Sequence, residues 1–170
     1  MCSLVENLLM LARVDAGQVE VNRTPVSLRS LVDECWKPHA GTAAARGIEL
    51  RNTVPDDMVA TTDREKLRVV IGNLLSNAAE YTANGGWVAI SAPAGALLDV
   101  ADSGPPIPPE HLDKIFDRMW RADDSRTATG IHCGIGLALA RSLAATLGLT
   151  LSASSHPDGS VHFVVSTATT

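Results

Sequence analysis

The chain has 170 residues, of which 45% are hydrophobic. This length is enough for one well-buried domain with a short appendage, and it excludes two full domains. The formal net charge of −5 excludes a diffuse basic surface for nucleic acid, so a polyanionic ligand would have to be held by backbone amides or a metal ion.

The cysteine pattern and the hydropathy indicate where such a chain resides. Cys2, Cys35 and Cys133 are odd in number and have no CxxC spacing, which argues against a disulfide framework or a zinc site and favours a reducing cytosol. No apolar run approaches the ~18 residues that a membrane span needs, and Met1 begins in a helical pattern without a signal peptide. We expect a cytoplasmic fragment without membrane contact, any membrane anchor of its parent protein lying outside it.

Residues 3–16 form the first predicted helix. Leu4, Leu8 and Leu11 follow the spacing of a coiled-coil seam, and Gly17 is placed to end the helix. A helix of about fourteen residues is marginal alone, so this one needs a partner.

The pattern that follows predicts an α+β fold. A helix is expected over 27–45. Strands are expected over 47–54, 58–62, 87–93, 96–102, 149–155 and 161–167. The first two of these flank a Pro-Asp-Asp turn, the middle two are expected to be neighbours in one sheet, and the last two form a hairpin. Helices on one face of a mixed β-sheet would make a two-layer sandwich.

A helix over 62–82 carries the clearest apolar face. Its face consists of Leu67, Val70, Ile71, Leu74, Leu75 and Ala78. Thr62 and Glu65 predict a capping box at its start. Asn73 and Asn77 lie about 40° apart on the border of the face, where each offers an oxygen to a hard cation. From this helix alone, it is equally open that the two asparagines only flank a core helix.

Three further stretches carry polar or glycine residues at informative places. Asp102 ends a predicted strand, and Gly104 behind it lets the backbone pass close to a ligand. The charged segment 117–133 has no periodicity, which suits a mobile lid over a nucleotide. Gly134 and Gly136 precede a helical pattern, so bare amides at a helix N-terminus point where phosphates could sit. The residues expected to fasten the lid's base to the core are Phe116, Met119 and Trp120.

Four motifs in order resemble the ATP-binding domain of bacterial sensor histidine kinases, a branch of the GHKL ATPase superfamily. LRVVIGNLLSNAAEYT is similar to the N box of that family, DSGPPIP to its G1 box, IFDRMWRADDSR to its F box and CGIGLALAR to its G2 box. The resemblance implies the Bergerat fold, an α+β two-layer sandwich preceded here by a short helix. It also implies that 18–170 is the ATP-binding domain and 1–17 the end of a dimerisation helix.

The resemblance implies a role for each matching residue. Asp102 would accept the adenine amino group, and Asn77 would bind Mg²⁺. Asn73 stands where other GHKL members carry a glutamate that activates water; an amide cannot act as a base, which suits phosphoryl transfer to a histidine. Arg121 would steady the γ-phosphate of ATP. The other nucleotide-binding residues that the family implies are Tyr81, Gly104, Ile107, Gly134, Ile135, Gly136 and Leu137.

The expected function is that of a protein-histidine kinase catalytic domain in a two-component system. It would use Mg²⁺–ATP and work with its own dimerisation domain and a response regulator, in a homodimeric parent protein. The phosphoacceptor histidine would lie on a helix outside this chain, because none of the five histidines here fits that role.

Three positions depart from the family pattern and keep two alternatives open. Glu80 replaces a lysine, Pro106 replaces a glycine, and His132 replaces a glycine, all around the nucleotide pocket. One alternative is therefore a degenerate GHKL module that has lost nucleotide binding and acts by dimerisation or partner docking. The other is a serine kinase of the anti-sigma type, against which the helix at 3–16 argues.

Overall fold

The structure is a computed structural model that describes residues 4–120 and 134–167. The helices are α1 (Leu4–Asp15), α2 (Leu28–Ala45), α3 (Arg64–Tyr81) and α4 (Gly136–Thr146). The strands are β1 (Thr24–Ser27), β2 (Glu49–Asn52), β3 (Val59–Thr62), β4 (Trp87–Ser91), β5 (Leu98–Asp102), β6 (Leu149–Ser155) and β7 (Val161–Thr167). Two 3₁₀ turns, Pro109–His111 and Lys114–Phe116, follow β5.

The main sheet is mixed and has the strand order β2-β4-β5-β7-β6. β2 runs parallel to β4, and the other neighbouring pairs are antiparallel. Burial alternates along β4, where Val88 and Ile90 are fully buried and Ala89 between them is not. This alternation is typical of a sheet that is covered by helices on one face. The α+β two-layer sandwich is thus confirmed, including the neighbouring strands β4 and β5 and the β6–β7 hairpin.

The segments 47–54 and 58–62 contain strands, but these strands belong to different sheets. β2 joins the main sheet, whereas β3 pairs antiparallel with β1 in a separate two-stranded sheet. The turn between β2 and β3 therefore connects two sheets and does not close a hairpin.

Helix α3 packs on the core with the predicted face. All six apolar residues of that face are buried. The predicted capping box is wrong, because Thr62 is the last residue of β3 and pairs with Thr24. The cap is Asp63, whose Oδ1 accepts a hydrogen bond from the amide of Lys66 at 3.1 Å. Pairing with a distant strand thus shifts the helix start by one residue.

Helix α1 lies against α4, and Gly17 follows it with a φ of +65° as expected for a helix end. Leu11 is only 2% exposed, whereas Val5 and Leu9 are 62% and 56% exposed. The carboxylate of Asp15 pairs with Arg118 Nη2 at 2.6 Å. None of the helices in the described ranges is long and apolar enough to cross a membrane.

Candidate functional site

Three polar residues lie along one side of α3. Asn73, Asn77 and Tyr81 are spaced four residues apart, so they follow one another at successive turns over about 12 Å of helix. Asn73 and Asn77 are half-buried, and Tyr81 is 41% exposed. This side of α3 borders its buried face and is open enough to meet a ligand.

At the N-terminal end of this row, Asn73 meets the start of α4. The Nδ2 of Asn73 donates a hydrogen bond to the carbonyl of Val69 at 2.8 Å, which holds the carboxamide in place. Its Oδ1 faces Gly136, where a Cβ atom would lie only 2.6 Å from that oxygen. The first turn of α4 has no side-chain cap. The structure therefore brings Asn73 together with helix amides of the kind that bind anions.

At the C-terminal end of the row, the backbone carbonyl of Tyr81 lies against Gly104, which also contacts Asp102. A Cβ atom at Gly104 would lie 3.2 Å from the carbonyl oxygen of Tyr81 and 2.6 Å from Oδ1 of Asp102. The amide of Gly104 donates a hydrogen bond to the same Oδ1 at 2.8 Å. Only a residue without a side chain fits between these two neighbours.

Asp102 is a buried carboxylate, with 2% of its surface exposed. Burial raises the pKa of Asp102 to about 6, although the Gly104 amide and the nearby His162 both act to lower it. A carboxyl group with this pKa is mostly ionised at neutral pH. It is then a hydrogen-bond acceptor in a dry environment, which favours an N–H donor on a ligand.

The segment after Asp102 is fastened to the edge of the sheet. The amide of Ile107 donates to Oγ of Ser155 at 2.9 Å, and that hydroxyl donates back to the Ile107 carbonyl at 3.1 Å. Pro106, beside it, is exposed to solvent. The proline that departs from the family pattern therefore lies at the surface of this segment.

The residues that flank 121–133 meet each other. The amide of Met119 donates to the carbonyl of Gly134 at 2.9 Å, and a Cβ atom at Gly134 would lie 2.6 Å from the carbonyl oxygen of Trp120. Phe116 is buried and Trp120 packs against the core, as predicted. Met119 contradicts the prediction, because its side chain is 76% exposed and its φ is +62°. A left-handed backbone at this point turns the side chain outward.

The remaining residues predicted for the phosphate end precede α4 or lie at its start. Arg121 lies outside the described residues, and so does His132, one of the three positions that depart from the family pattern. Ile135 is buried, and Leu137 is half-buried at the start of α4. Two surface grooves in the described part of the chain are lined by neither Asn77 nor Asp102.

Arg46 contacts the end of α3, and the sequence did not predict this role. Its guanidinium donates to the carbonyls of Ala79 and Thr82 and to Oδ1 of Asn84. Arg46 follows α2 and is more than thirty residues away from these partners in sequence, so no local pattern connects them. The sequence carries one signal, a basic residue at the end of a predicted helix and directly before a glycine.

The fold is an α/β sandwich with helices on one face of the sheet. A row of polar residues on α3 lies between Asp102 and the N-terminus of α4, which begins at Gly136. This fold and site are those of a GHKL-class ATPase domain. Residues 62–169 match the family model described as histidine kinase-, DNA gyrase B-, and HSP90-like ATPase. The chain therefore belongs to that family, as a catalytic domain of the sensor histidine kinase type.

Individual relatives agree with this assignment. The signal transduction histidine-protein kinase BaeS of Escherichia coli (strain K12) is 31% identical over 165 residues, which are 95% of this chain and 35% of BaeS. Full-length ShkA in complex with AMPPNP gives a TM-score of 0.80 at 26% identity and covers 98% of this chain and 36% of ShkA. Histidine kinase ThkA in complex with the response regulator TrrA gives a TM-score of 0.72 at 22% identity, over 98% of this chain and 48% of ThkA. The last of these likenesses shows the fold alone.

Proposed function

We propose that this chain binds Mg²⁺–ATP along α3 and transfers its γ-phosphoryl group to a histidine of a dimerisation domain. The observation that carries the proposal is the contact at each end of one polar row: the Asn73 side chain lies against Gly136, and the Tyr81 carbonyl lies against Gly104, whose amide bonds to Asp102. Each glycine lets its backbone lie close to a side-chain oxygen, that of Asn73 or that of Asp102, where a Cβ atom would clash. A nucleotide lying along the row would meet a carboxylate at one end and helix amides at the other.

The residues at the two ends suit opposite parts of ATP. The ionised carboxylate of Asp102 would accept a hydrogen bond from the exocyclic amine of adenine, and it would repel the oxygen that guanine carries at that place. Gly104 and Ile107 would shape the adenine end, with Tyr81 beside them. The N-terminal amides of α4 would face the phosphates.

Asn73 and Asn77 lie between these ends and would serve the metal and the phosphates. Mg²⁺ takes oxygen ligands and commonly accepts one or two from protein when phosphates and waters supply the rest. The half-buried carboxamide of Asn77 fits that requirement, one turn of α3 away from both Asn73 and Tyr81. Mg²⁺ would neutralise phosphate charge, which the protein's own net charge of −5 does not do.

The transfer itself needs positioning more than proton chemistry. The bond between the γ-phosphorus and the bridging oxygen would break, ADP would leave, and a histidine nitrogen would bond to phosphorus while releasing its proton. Asn73 has an amide where a general base would be required to activate water, so hydrolysis would be disfavoured. Arg121 is proposed to steady the γ-phosphate, and Gly134 with Ile135, Gly136 and Leu137 to close the phosphate end.

We also propose the wider setting of the domain. Residues 1–17 would be the end of a dimerisation helix and 18–170 the catalytic domain, in a cytoplasmic part of a homodimeric sensor kinase. A response regulator is proposed as the partner that receives the phosphoryl group; ThkA, which shares the fold, forms a complex with the response regulator TrrA. The chain covers 35% of BaeS, so the phosphoacceptor histidine is proposed to lie in the rest of such a protein.

Calorimetry with a non-hydrolysable ATP analogue, with and without Mg²⁺, tests the proposal. We expect binding that strengthens with Mg²⁺, loses its Mg²⁺ dependence in Asn77→Ala and weakens at least about tenfold in Asp102→Asn. Asn52→Ala removes a carboxamide that bonds to Asp33 elsewhere on the surface, and it should leave binding unchanged. No binding by the unmodified chain at millimolar analogue with Mg²⁺ would favour the alternative of a module that has lost its nucleotide.

A further inference from the structure

Arg46 joins the end of α2 to the end of α3 through all three nitrogen atoms of its guanidinium group. Nη1 donates to the carbonyl of Ala79 at 2.6 Å, and Nη2 donates to the carbonyl of Thr82. Nε donates to Oδ1 of Asn84 at 3.0 Å. The carbonyl of Arg46 in turn accepts from the amide of Gly85 at 2.9 Å. The half-buried Arg46 thus holds the last turn of α3 and the turn that follows it.

The carbonyls that Arg46 binds belong to the part of α3 that touches the candidate adenine end. Tyr81 lies between Ala79 and Thr82, and its own carbonyl abuts Gly104. Gly104 donates to the buried carboxylate of Asp102. Four links therefore lead from the guanidinium to Asp102: the hydrogen bond to Thr82, the peptide bond from Thr82 to Tyr81, the contact of the Tyr81 carbonyl with Gly104, and the hydrogen bond from Gly104 to Asp102.

We propose that Arg46 is a positioning residue that sets the place of Tyr81 and Gly104 relative to Asp102, and thereby the purine preference of the site. The proposal rests on the proposed function, since it assigns Asp102 to the adenine. Arg46 itself would not touch the nucleotide.

The chemistry of arginine explains why this residue suits the position. The last carbonyls of a helix have no partners within the helix, and a cation near them is favoured by the helix dipole. A guanidinium presents several donors in one rigid plane, so it can bond to carbonyls on two turns at once. Lysine keeps the charge, but its three donors share one nitrogen, so it cannot reach all three oxygens that the arginine fork binds at once.

The test is nucleotide titration of the 170-residue chain with Arg46→Met and Arg46→Lys. Each variant is titrated with Mg²⁺ and non-hydrolysable ATP and GTP analogues, and with ADP. For Arg46→Met, we expect about tenfold weaker binding of the ATP analogue and of ADP, equivalent to about 1.4 kcal/mol, with less loss for the GTP analogue. The ratio of ATP to GTP affinity should therefore fall, and Arg46→Lys should restore part of it.

Arg68→Met is the matched control, because Arg68 is an exposed arginine of α3 that pairs with Glu65. It should keep the affinities and their ratio. Urea unfolding confirms that each variant is folded under the titration conditions; if Arg46→Met lacks a cooperative transition, Arg46→Lys decides. General destabilisation would weaken both analogues equally, so an unchanged ratio in a folded variant overturns the proposal. Failure of the unmodified chain to bind any nucleotide would instead overturn the proposed function, and this inference with it.

Discussion

The side-chain oxygen of Asn73 faces the first residue of α4 so closely that a Cβ atom at Gly136 would lie 2.6 Å from it. The backbone of Gly136 is not left-handed, so an alanine there would meet no backbone strain of its own. The conflict is confined to the end of the Asn73 side chain, which can move. Glycine at position 136 is therefore needed to keep the Asn73 carboxamide in its orientation, and it is not needed for the fold.

Gly136→Ala should consequently impair nucleotide binding without unfolding the protein. We expect the free energy of unfolding to stay within about 1 kcal/mol, because alanine favours a helix and Asn73 can rotate away. The affinity for a non-hydrolysable Mg²⁺–ATP analogue should fall about tenfold or more. Calorimetry together with urea unfolding separates the two effects.

The same substitution in an Asn73→Ala background provides the control. Without the carboxamide, the alanine at 136 has nothing to displace, so the second substitution should have little further effect on affinity. Gly134→Ala offers a contrast, since it would place a Cβ atom against backbone atoms of Trp120 and Met119 at a φ of +65°. If the losses of affinity caused by Asn73→Ala and Gly136→Ala were additive, the contact between these two residues would not be the reason why Gly136→Ala weakens binding.

The raised pKa of Asp102 makes stability depend on pH in a defined direction. Burial raises this pKa from 3.8 to about 6, so the folded state holds its proton more tightly than the unfolded state. The stabilisation is fully present below pH 3.8 and is lost as the pH rises through 6. Relative to Asp102→Asn, the unmodified protein should lose about 1.4 kcal/mol of unfolding free energy between pH 5 and pH 7.5. Urea unfolding at both values measures this difference.

Nucleotide binding should show the opposite pH dependence. The ionised carboxylate accepts a much stronger hydrogen bond from the adenine amine than the protonated carboxyl group does, so affinity for an ATP analogue should rise about tenfold from pH 5 to pH 7.5. The Asp102→Asn variant corrects for ionisation of the nucleotide itself. Equal pH profiles for the two proteins would mean that Asp102 does not contact the ligand.

The parts of the fold that follow from local periodicity were predictable. The buried face of α3 repeats at helical spacing, and the strands of the β6–β7 hairpin alternate around a turn signal. Both patterns depend on neighbours in sequence, and the structure confirms them. The family boxes further pointed to Asp102 and Asn73 before their surroundings were known.

The features that were wrong or missed depend on contacts distant in sequence. Thr62 has the right chemistry for a cap, but its pairing with Thr24 keeps it in a strand and leaves Asp63 to begin the helix. Arg46 binds carbonyls that no local pattern associates with it. Met119 looks like a core residue by type, but its side chain is 76% exposed and its backbone is left-handed, which no sequence pattern indicated.

Asp63 should carry a large share of the acid sensitivity of the fold. Its burial alone would raise its pKa, but hydrogen bonds from the Lys66 side chain and from the amides of Asn22 and Lys66 outweigh this and lower the pKa to about 2. The stabilisation is present above pH 3.8 and is lost as the pH falls towards 2, by about 2 kcal/mol. Acid titration of the folded state by circular dichroism should show this loss.

Asp63→Ala removes the cap and the acid-dependent stabilisation together. We expect it to cost about 2 kcal/mol at pH 7, at the upper end for a helix cap because Asn22 and Lys66 also lose their partner. Asp57→Ala changes an exposed aspartate in the turn before β3 and should leave stability within about 0.5 kcal/mol. If the two substitutions lowered the free energy of unfolding equally, Asp63 would not stabilise the start of α3 as described.

Helix α1 packs on the domain through the buried Leu11 and the partly buried Met10 and Val14, and we expect the exposed ion pair between Asp15 and Arg118 to add little. Leu11 is 2% exposed, whereas the two charged side chains are 43% and 56% exposed. Exposed pairs contribute at most about 1 kcal/mol, while a buried leucine contributes about 2–4 kcal/mol.

Leu11→Ala should therefore release α1, and amide hydrogen exchange in residues 4–15 should accelerate at least about tenfold while α3 keeps its protection. Asp15→Ala should have a small effect, and Leu9→Ala, at an exposed position of the same helix, should have none. If Asp15→Ala accelerated exchange as much as Leu11→Ala, the ion pair would be the main attachment, which the exposure of both charges argues against.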